Sequence, residues 1–268
     1  MTLAIESLGF GYPGKTIGRD VSLSVTGGET LCLLGPNGTG KTTLFKTILG
    51  LIPPHAGQVT IDGADLARLS RRDIARKIGY VPQAQVGFFP FTVHDIVLMG
   101  RTAHLAPFAS PSPADRKLAG DALAALGISH LADKVYTRIS GGERQLVLIA
   151  RALVQQPAYL IMDEPTASLD FGNQIRVLDR IRQLAAQNIG ILFSTHDPDH
   201  AFLCADRAAL LHDGRLARLA SPREAVTPES LQQLYGVNVR IIEIDDPGTG
   251  RRRPVCVPSL ADQAQRVA

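Results

Sequence analysis

Residues 35–42 have the spacing of a phosphate-binding loop, G-x-x-x-x-G-K-[ST]. Its glycines let the backbone bend so that successive N–H groups converge on phosphate oxygens, and the N-terminus of the following helix adds partial positive charge. An apolar run precedes the loop and a helical pattern follows it. We therefore predict a nucleoside triphosphate site; the alternative is a glycine-rich turn. Its candidate residues are Gly35, Pro36, Asn37, Gly38, Thr39, Gly40, Lys41, Thr42 and Thr43.

Two acids, Asp163 and Glu164, follow the apolar run at residues 159–162. At the carboxyl end of a buried parallel strand, both would lie at a ligand crevice. Asp163 would hold Mg²⁺ through its water shell, opposite the Thr42 hydroxyl, and Lys41 would lie near the β- and γ-phosphates. Glu164 would accept a proton from the attacking water or orient it. An acidic turn after a strand is the alternative, and only the combination with the phosphate loop favours catalysis.

Predicted strands and helices alternate along the chain around these residues. Apolar runs near residues 31–34, 78–81, 159–162, 189–193 and 207–211 predict a parallel sheet covered on both faces. Residues 2–30 predict several short antiparallel strands separated by turns. The stretch from Gln83 to Gln155 has helical patterns, and residues 237–257 predict a short accessory hairpin. The fold class is therefore α/β, with an antiparallel layer beside the nucleotide.

Composition favours a globular protein of a reducing compartment. The chain has 268 residues, of which 45% are hydrophobic and 20% charged, so it can bury a large core. A net charge of +3 is too small to indicate nucleic-acid binding, and residues 251–253, all arginine, are expected in a solvated turn. The three cysteines lack disulfide or metal spacing. No signal-peptide pattern or run of roughly 18–20 apolar residues is present, so no membrane span is expected.

A further loop, at Ser140, Gly141 and Gly142, precedes an apolar-periodic helix that Ser140 would cap. Alone, this pattern indicates only a helix cap with a flexible entry. Together with the phosphate loop, the acidic pair and the segments around Gln83, Asp170 and His196, it resembles the ATP-binding subunits of ABC transporters over roughly residues 2–240. Two positions depart from that pattern. Ile139 replaces Leu, and Glu143 replaces Gln, where an acid would either weaken an anion contact or favour the first turn of the helix.

The resemblance implies a P-loop NTPase (RecA-like) sheet core over residues 2–240, an inserted α-helical subdomain at about 84–155 and an accessory tail at 241–268. It implies ATP and Mg²⁺ as cofactors, with Thr42, Gln83 and Asp163 around the metal. Gln83, Glu164 and His196 would be catalytic, with His196 at the γ-phosphate. Tyr12 would stack on adenine, although a ring within an N-terminal hairpin is the alternative.

The resemblance also implies partners. A second copy would pack head to tail, so that Ser140, Gly141 and Gly142 contact the ATP of the other subunit and Asp170 reaches across the dimer. The transport channel would belong to polytopic permease subunits, which would hold this chain at the cytoplasmic face of the membrane. A substrate-binding protein would be an indirect partner, and no nucleic acid is expected.

His196 and His200 are four residues apart, which is a zinc-ligand spacing on one helix face. Pro198 instead predicts that the helix begins near it, so that His196 precedes the helix and the two imidazoles share no face. We therefore expect no metal there and expect His200 on the surface. The other histidines form no cluster.

Three phenylalanines, Phe88, Phe89 and Phe91, follow Gln83 in a loop that also contains Gly87 and Pro90. In the resembled family, the groove between sheet domain and helical subdomain receives a short helix of the membrane subunit. We expect some of these rings to line that groove as aromatic anchors. The equally weighted alternative is that they fill the seam of the subdomain.

Residues 95–101, His104-Leu105 and residues 170–174 resemble the importer subfamily for iron–siderophore, haem, cobalamin and some oxyanions. We rank an iron chelate first, with cobalamin or a molybdate-type oxyanion behind it. A non-transport ABC ATPase is the alternative from another class. Those chains typically have two ATPase domains, long coiled coils or zinc hooks, and this sequence has neither a heptad run nor a Cys-x-x-Cys motif. An exporter is the third alternative.

Overall fold

The computed structural model describes residues 1–83, 90–106, 108–246, 250 and 252–259. Within these residues the strands are β1 Thr2–Tyr12, β2 Lys15–Thr26, β3 Thr30–Leu34, β4 Ala56–Ile61, β5 Ala64–Asp65, β6 Ile78–Val81, β7 Tyr159–Met162, β8 Gly190–Thr195, β9 Arg207–His212, β10 Arg215–Ala220, β11 Val239–Asp245 and β12 Arg252–Pro258. The α-helices are α1 Lys41–Ile48, α2 Arg71–Lys77, α3 Val93–Leu98, α4 Pro113–Ala125, α5 Gly141–Leu153, α6 Phe171–Ala185, α7 Asp199–Cys204, α8 Pro222–Ala225 and α9 Pro228–Tyr235.

The central sheet has the order β10-β9-β3-β8-β7-β6, and all its strands except β10 are parallel. The five parallel strands are those predicted from the apolar runs. Because β3, β8, β7 and β6 are neighbours and run in one direction, their carboxyl ends meet at one edge. Gly35, His196, Asp163 and Gln83 follow these ends, so the topology gathers the candidate residues there.

Alternating side chains of the parallel strands enter two separate cores. In β3, Leu31 and Leu33 belong to the core shared with the antiparallel layer, whereas Cys32 and Leu34 belong to the core shared with the helices. All four side chains are buried completely. This is why the strand is an unbroken apolar run, since both of its faces are covered.

The antiparallel layer has the order β2-β1-β4-β5. The prediction of several short strands over residues 2–30 was wrong, because β1 and β2 are long and pair along most of that region. Their register shifts at several points between Ile5 and Gly11. Gly9, Gly11 and Gly18 lie inside these strands, where irregular pairing tolerates residues without side chains, whereas Gly14, Gly27 and Gly28 do lie in turns.

Helical elements occupy the described residues between β6 and β7, with α3, α4 and α5 as the principal ones. A 3₁₀ helix at Met99–His104 joins this group through Arg101. The Arg101 Nε donates to Asp115 Oδ1 over 2.8 Å, and its Nη1 donates to the Val154 carbonyl over 3.0 Å. Both charged side chains are buried. Arg101 therefore fixes the 3₁₀ helix against the start of α4, where Asp115 lies, and against the end of α5, which Val154 follows.

The predicted C-terminal hairpin is present as β11 and β12, which pair antiparallel from Val239 with Pro258 to Asp245 with Arg252. The boundary at residue 240 stays a prediction. The expectation of a solvated arginine turn was wrong for Arg252 and Arg253. Both lie in β12, and Arg253 is half-buried because its strand packs against the body of the protein. Arg251 lies outside the described residues. Among the described residues, no helix is both long and apolar enough to cross a bilayer.

Candidate active site

The phosphate loop connects the end of β3 to the start of α1. Gly40 caps α1 with a left-handed backbone at φ 98°, and a Cβ there would stand 2.5 Å from the Ile17 side chain. Both constraints exclude other residues from this position. The loop therefore closes onto β2 and presents the first N–H groups of α1 to one concave space.

Lys41 is turned back into the loop. Its Nζ donates to the Gly35 carbonyl over 2.6 Å and to the Pro36 carbonyl over 3.0 Å, and it lies 3.2 Å from Glu164 Oε1. Its side chain is 5% exposed, so these contacts replace most of its hydration. The ammonium is therefore held between the carbonyls of the loop and the carboxylate of Glu164.

One cavity of about 340 Å³ is lined by most of the predicted phosphate-loop residues, together with Gln83 and Glu164. The lining residues are Ile17, Asn37, Gly38, Gly40, Lys41, Thr42, Thr43, Gln83 and Glu164. Ile17 was not predicted from sequence, because it lies in β2 and reaches the cavity only where β2 packs over the loop. The other three predicted loop residues, Gly35, Pro36 and Thr39, do not line the cavity. They stabilise the loop instead, since Thr39 Oγ1 donates to the Pro36 carbonyl over 2.9 Å.

The two acids at the end of β7 are joined by Ser194 at the end of β8. The Ser194 hydroxyl donates to Asp163 Oδ1 over 2.8 Å and accepts from the Glu164 N–H over 2.9 Å. Glu164 has φ 46°, a left-handed backbone that costs free energy for a residue with a side chain. The serine thus fixes Asp163 and stabilises the strained turn that points the Glu164 carboxylate into the cavity.

The Glu164 carboxylate lies between two nitrogen groups. Oε1 faces Lys41, and Oε2 lies 3.5 Å from Nδ1 of His196. The His196 side chain is 52% exposed, whereas that of Glu164 is 13% exposed. A carboxylate, an ammonium and an imidazole therefore converge where a terminal phosphate and an attacking water would meet.

The oxygen donors fit Mg²⁺, which prefers carboxylate, amide and hydroxyl oxygens. Thr42 and Gln83 are exposed to the cavity. Asp163 is 3% exposed, and one of its oxygens accepts from Ser194. Because Asp163 is buried this deeply, contact with Mg²⁺ through a water molecule fits better than direct contact.

His200 is buried, so the expectation of a surface residue was wrong. It lies in the first turn of α7, which packs against the sheet, and it is 5% exposed. Its Nδ1 is 2.9 Å from Thr195 Oγ1, and its Nε2 is 3.3 Å from Asp197 Oδ2. Burial lowers its pKa despite the neighbouring Asp197. His196 precedes α7, as predicted, and the described residues contain no group of three or more His, Cys, Asp or Glu side chains that could hold a metal ion.

Ser140 caps α5, as predicted, and Glu143 completes a capping box. The Ser140 N–H donates to Glu143 Oε2 over 2.7 Å, and the Glu143 N–H donates to Ser140 Oγ over 3.2 Å. These hydrogen bonds lower the pKa of Glu143. The Glu143 carboxylate is thus turned toward the helix cap. This favours the interpretation that Glu143, which stands where the resembled family has Gln, stabilises the first turn of α5.

The Ser140 loop lies away from the cavity of its own chain. Gly142 packs against the side chain of Asn173, and Asp170 caps α6 by accepting from the Asn173 N–H over 2.8 Å. None of Ser140, Gly141, Gly142 or Asp170 is among the residues that line the cavity. Tyr12 is also outside this lining; it ends β1, pairs with Lys15 and is 43% exposed.

Residues 19–167 match the sequence profile of the ABC transporter family. An ABC transporter ATP-binding protein of Haemophilus influenzae is 45% identical, with 90% of this chain and 92% of that protein covered. A hemin import ATP-binding protein, HmuV of Bordetella pertussis, is 39% identical over 90% of this chain and 95% of its own length. A cobalamin import ATP-binding protein, BtuD of Halobacterium salinarum, is 38% identical over all of this chain and 66% of its own length.

Among solved structures, a metal-chelate type ABC transporter in an inward-facing conformation contains a chain with a TM-score of 0.85 to this one. The two are 33% identical, and the match covers 97% of each chain. The similarity therefore extends over the sheet, the helical elements and the C-terminal region together.

Proposed function

Because this chain belongs to the ABC transporter family, we propose that it is the ATP-hydrolysing subunit of an importer for a metal chelate. ATP-binding proteins of this family are ATPases. The observation that carries the assignment of the site is that Lys41 and His196 both contact the carboxylate of Glu164, which lines the cavity beside the phosphate loop.

In this proposal the loop N–H groups bind the β- and γ-phosphates, and Lys41 exchanges its contact with Glu164 for one with phosphate oxygens. Glu164 orients the attacking water and accepts its proton. His196 contacts the γ-phosphate. Mg²⁺, held by Thr42, Gln83 and, through water, Asp163, would neutralise phosphate charge. Tyr12 stacks on adenine at the outer end of the site.

The complete site needs a second copy of the chain. Ser140, Gly141, Gly142 and Asp170 lie outside the cavity of their own subunit, so a head-to-tail dimer would bring them to the ATP of the partner. The N-terminus of α5 would then add its partial positive charge to the phosphates. ATP would hold the dimer closed and hydrolysis would release it, which couples the reaction to movement.

The partners would be polytopic permease subunits, with a substrate-binding protein acting through them. They would hold this chain at the cytoplasmic face of the membrane. Residues 2–240 would form the ATPase domain, residues 84–155 its inserted helical subdomain and residues 241–268 an accessory tail. Phe91, which is 43% exposed, supports a docking surface on that subdomain. Phe88 and Phe89 lie outside the described residues.

Haem or another iron chelate is the first candidate cargo, supported by the similarity to a hemin import protein and to a metal-chelate type transporter. Cobalamin is the second candidate, supported by the similarity to a cobalamin import protein. The residues that select cargo would belong to the partners.

The test is affinity purification of tagged Glu164→Gln protein from native membranes with ATP and Mg²⁺, with mass spectrometry of the chains that co-purify. A permease should be recovered, and that permease reconstituted with the wild-type chain should take up haem or cobalamin. Lys41→Ala serves as the matched variant that should not form the ATP-closed dimer. Reproducible recovery of soluble partners alone would contradict the importer assignment.

A further inference from the structure

The backbone at His196 is held by a residue from the C-terminal part of the chain. Tyr235 ends α9, and its hydroxyl donates to the His196 carbonyl over 2.9 Å. The tyrosine is half-buried, and burial raises its pKa, so the hydroxyl keeps the proton that it donates. The contact joins residues 39 positions apart.

A second contact holds the other end of the same segment. The N–H of Cys256 in β12 donates to Oδ1 of Asp199, the first residue of α7, over 2.9 Å. Residues 196–199 are therefore held at both ends by elements that follow residue 227. Between these points Asp197 accepts at Oδ1 from the Asp199 N–H over 2.9 Å.

The hairpin that supplies Cys256 is itself fixed to the body of the protein. Arg223 in α8 pairs with Glu243 in β11 and donates to the Arg252 carbonyl in β12 over 2.8 Å. Arg223 thus ties both strands of the hairpin to α8. The contact at Asp199 thus comes from an anchored element.

Within the part of the chain that the structure describes, the polar side-chain contact of His196 is with Glu164, at 3.5 Å, and its imidazole is half exposed. An imidazole must be placed within a fraction of an ångström to contact a reacting phosphate. The backbone is therefore the element through which its position can be fixed.

We propose that Tyr235 is a positioning residue for His196, and that the C-terminal hairpin supports the same segment through Asp199. The inference depends on the proposed role of His196 at the γ-phosphate. It assigns to α9 and the accessory tail a function in hydrolysis rather than in cargo or partner binding.

The first test is Tyr235→Phe in the full-length chain, which removes only the hydroxyl. We expect kcat for ATP to fall about 3- to 10-fold, the effect of one net hydrogen bond. KM should stay within about twofold, because ATP binding depends on the phosphate loop. The matched control is Tyr159→Phe, whose hydroxyl donates to Asp62 Oδ1 over 3.3 Å at the opposite end of β7. Its kcat should equal that of the wild type.

The second test repeats Tyr235→Phe in a His196→Ala background, with single-turnover hydrolysis to measure slow rates. If Tyr235 acts through His196, its substitution has no further effect there. An equal loss in both backgrounds, or a wild-type kcat for Tyr235→Phe, would overturn the inference. Full activity of His196→Ala would instead contradict the proposed role of His196, so the two failures are distinguishable.

Discussion

The Lys41 ammonium lies 3.2 Å from Oε1 of Glu164, which joins the phosphate loop to the proposed base. In the proposed mechanism, a phosphate that enters the loop would compete with Glu164 for the lysine. The exchange would leave the carboxylate near the terminal phosphate, with His196 on its other side. This one ion pair would then link nucleotide binding to release of the group that acts on water.

Glu164→Gln should lower kcat about 10²- to 10⁴-fold, because the amide cannot accept a proton from water. ATP affinity should be unchanged or higher, since the amide competes less well than a carboxylate for Lys41. Phosphate release and equilibrium nucleotide binding measure the two effects. Glu224→Gln, an exposed capping acid away from the cavity, is the control. Wild-type hydrolysis by Glu164→Gln would remove the residue from the mechanism.

Lys41→Ala should weaken ATP binding by about 10- to 100-fold, the loss of one charge-assisted hydrogen bond to phosphate. The matched control is Lys46→Ala, in the last turn of the same helix and outside the residues that line the cavity. Titration with a fluorescent ATP analogue compares the two. Equal affinities would show that the loop lysine does not contact phosphate.

Ser194→Ala should lower both stability and hydrolysis. It leaves a buried oxygen of Asp163 and the N–H of Glu164 without their partner, at a cost of about 1–3 kcal/mol. Hydrolysis should fall about 10-fold or more because Glu164 then loses its fixed direction. Thermal unfolding and kcat are measured beside Thr47→Val, which removes a buried hydroxyl within α1. Unchanged values for both quantities in Ser194→Ala would contradict this role.

Stability should decrease as the pH falls below about 6.5, the ordinary pKa of histidine. Burial lowers the pKa of His200 in the folded state. Between the two pKa values, His200 is protonated in the unfolded chain but not in the folded chain, so protonation favours unfolding. The loss begins near the unfolded pKa and continues toward the lower folded pKa. His200→Gln should reduce the difference in Tm between pH 7.5 and 5.5; an unchanged difference would assign the effect to other groups.

Phe91→Ala should weaken recovery of the permease by roughly 10-fold if the ring is an interface anchor. ATP binding by the isolated chain should be unaffected, because the carbonyl of Phe91 still accepts from the Tyr136 N–H. Phe108→Ala, which removes another exposed ring of the same region, is the comparison. Normal permease recovery and normal uptake at normal protein levels would exclude Phe91 from the interface.

The buried strands, the phosphate loop and the helix cap could be predicted because each depends on residues that are close together in the sequence. The apolar runs at β3 and β7 fix buried strands, the glycines with Lys41 fix a phosphate loop, and Ser140 with Glu143 fixes a helix cap. Each depends on residues within a few positions of one another. The alternation of strands and helices then predicts a parallel sheet, and with it the edge at which the candidate residues meet.

The remaining features depend on which distant segments become neighbours. Ser194 joins the two acids only because β8 lies beside β7, and His200 is buried only because α7 packs against the sheet. Ile17 reaches the cavity because β2 covers the loop. Tyr235 reaches His196 because α9 returns to the sheet edge.

Local patterns along the chain thus establish the class of fold, the phosphate loop and the identity of the acidic pair. Packing between distant elements establishes how the acids are oriented, which histidine is exposed and what holds its backbone. The difference lies in the range of the interactions. Propensity, capping and loop geometry act between near neighbours, whereas hydrogen bonds such as that from Tyr235 to His196 require the register and packing of elements that are distant in the chain.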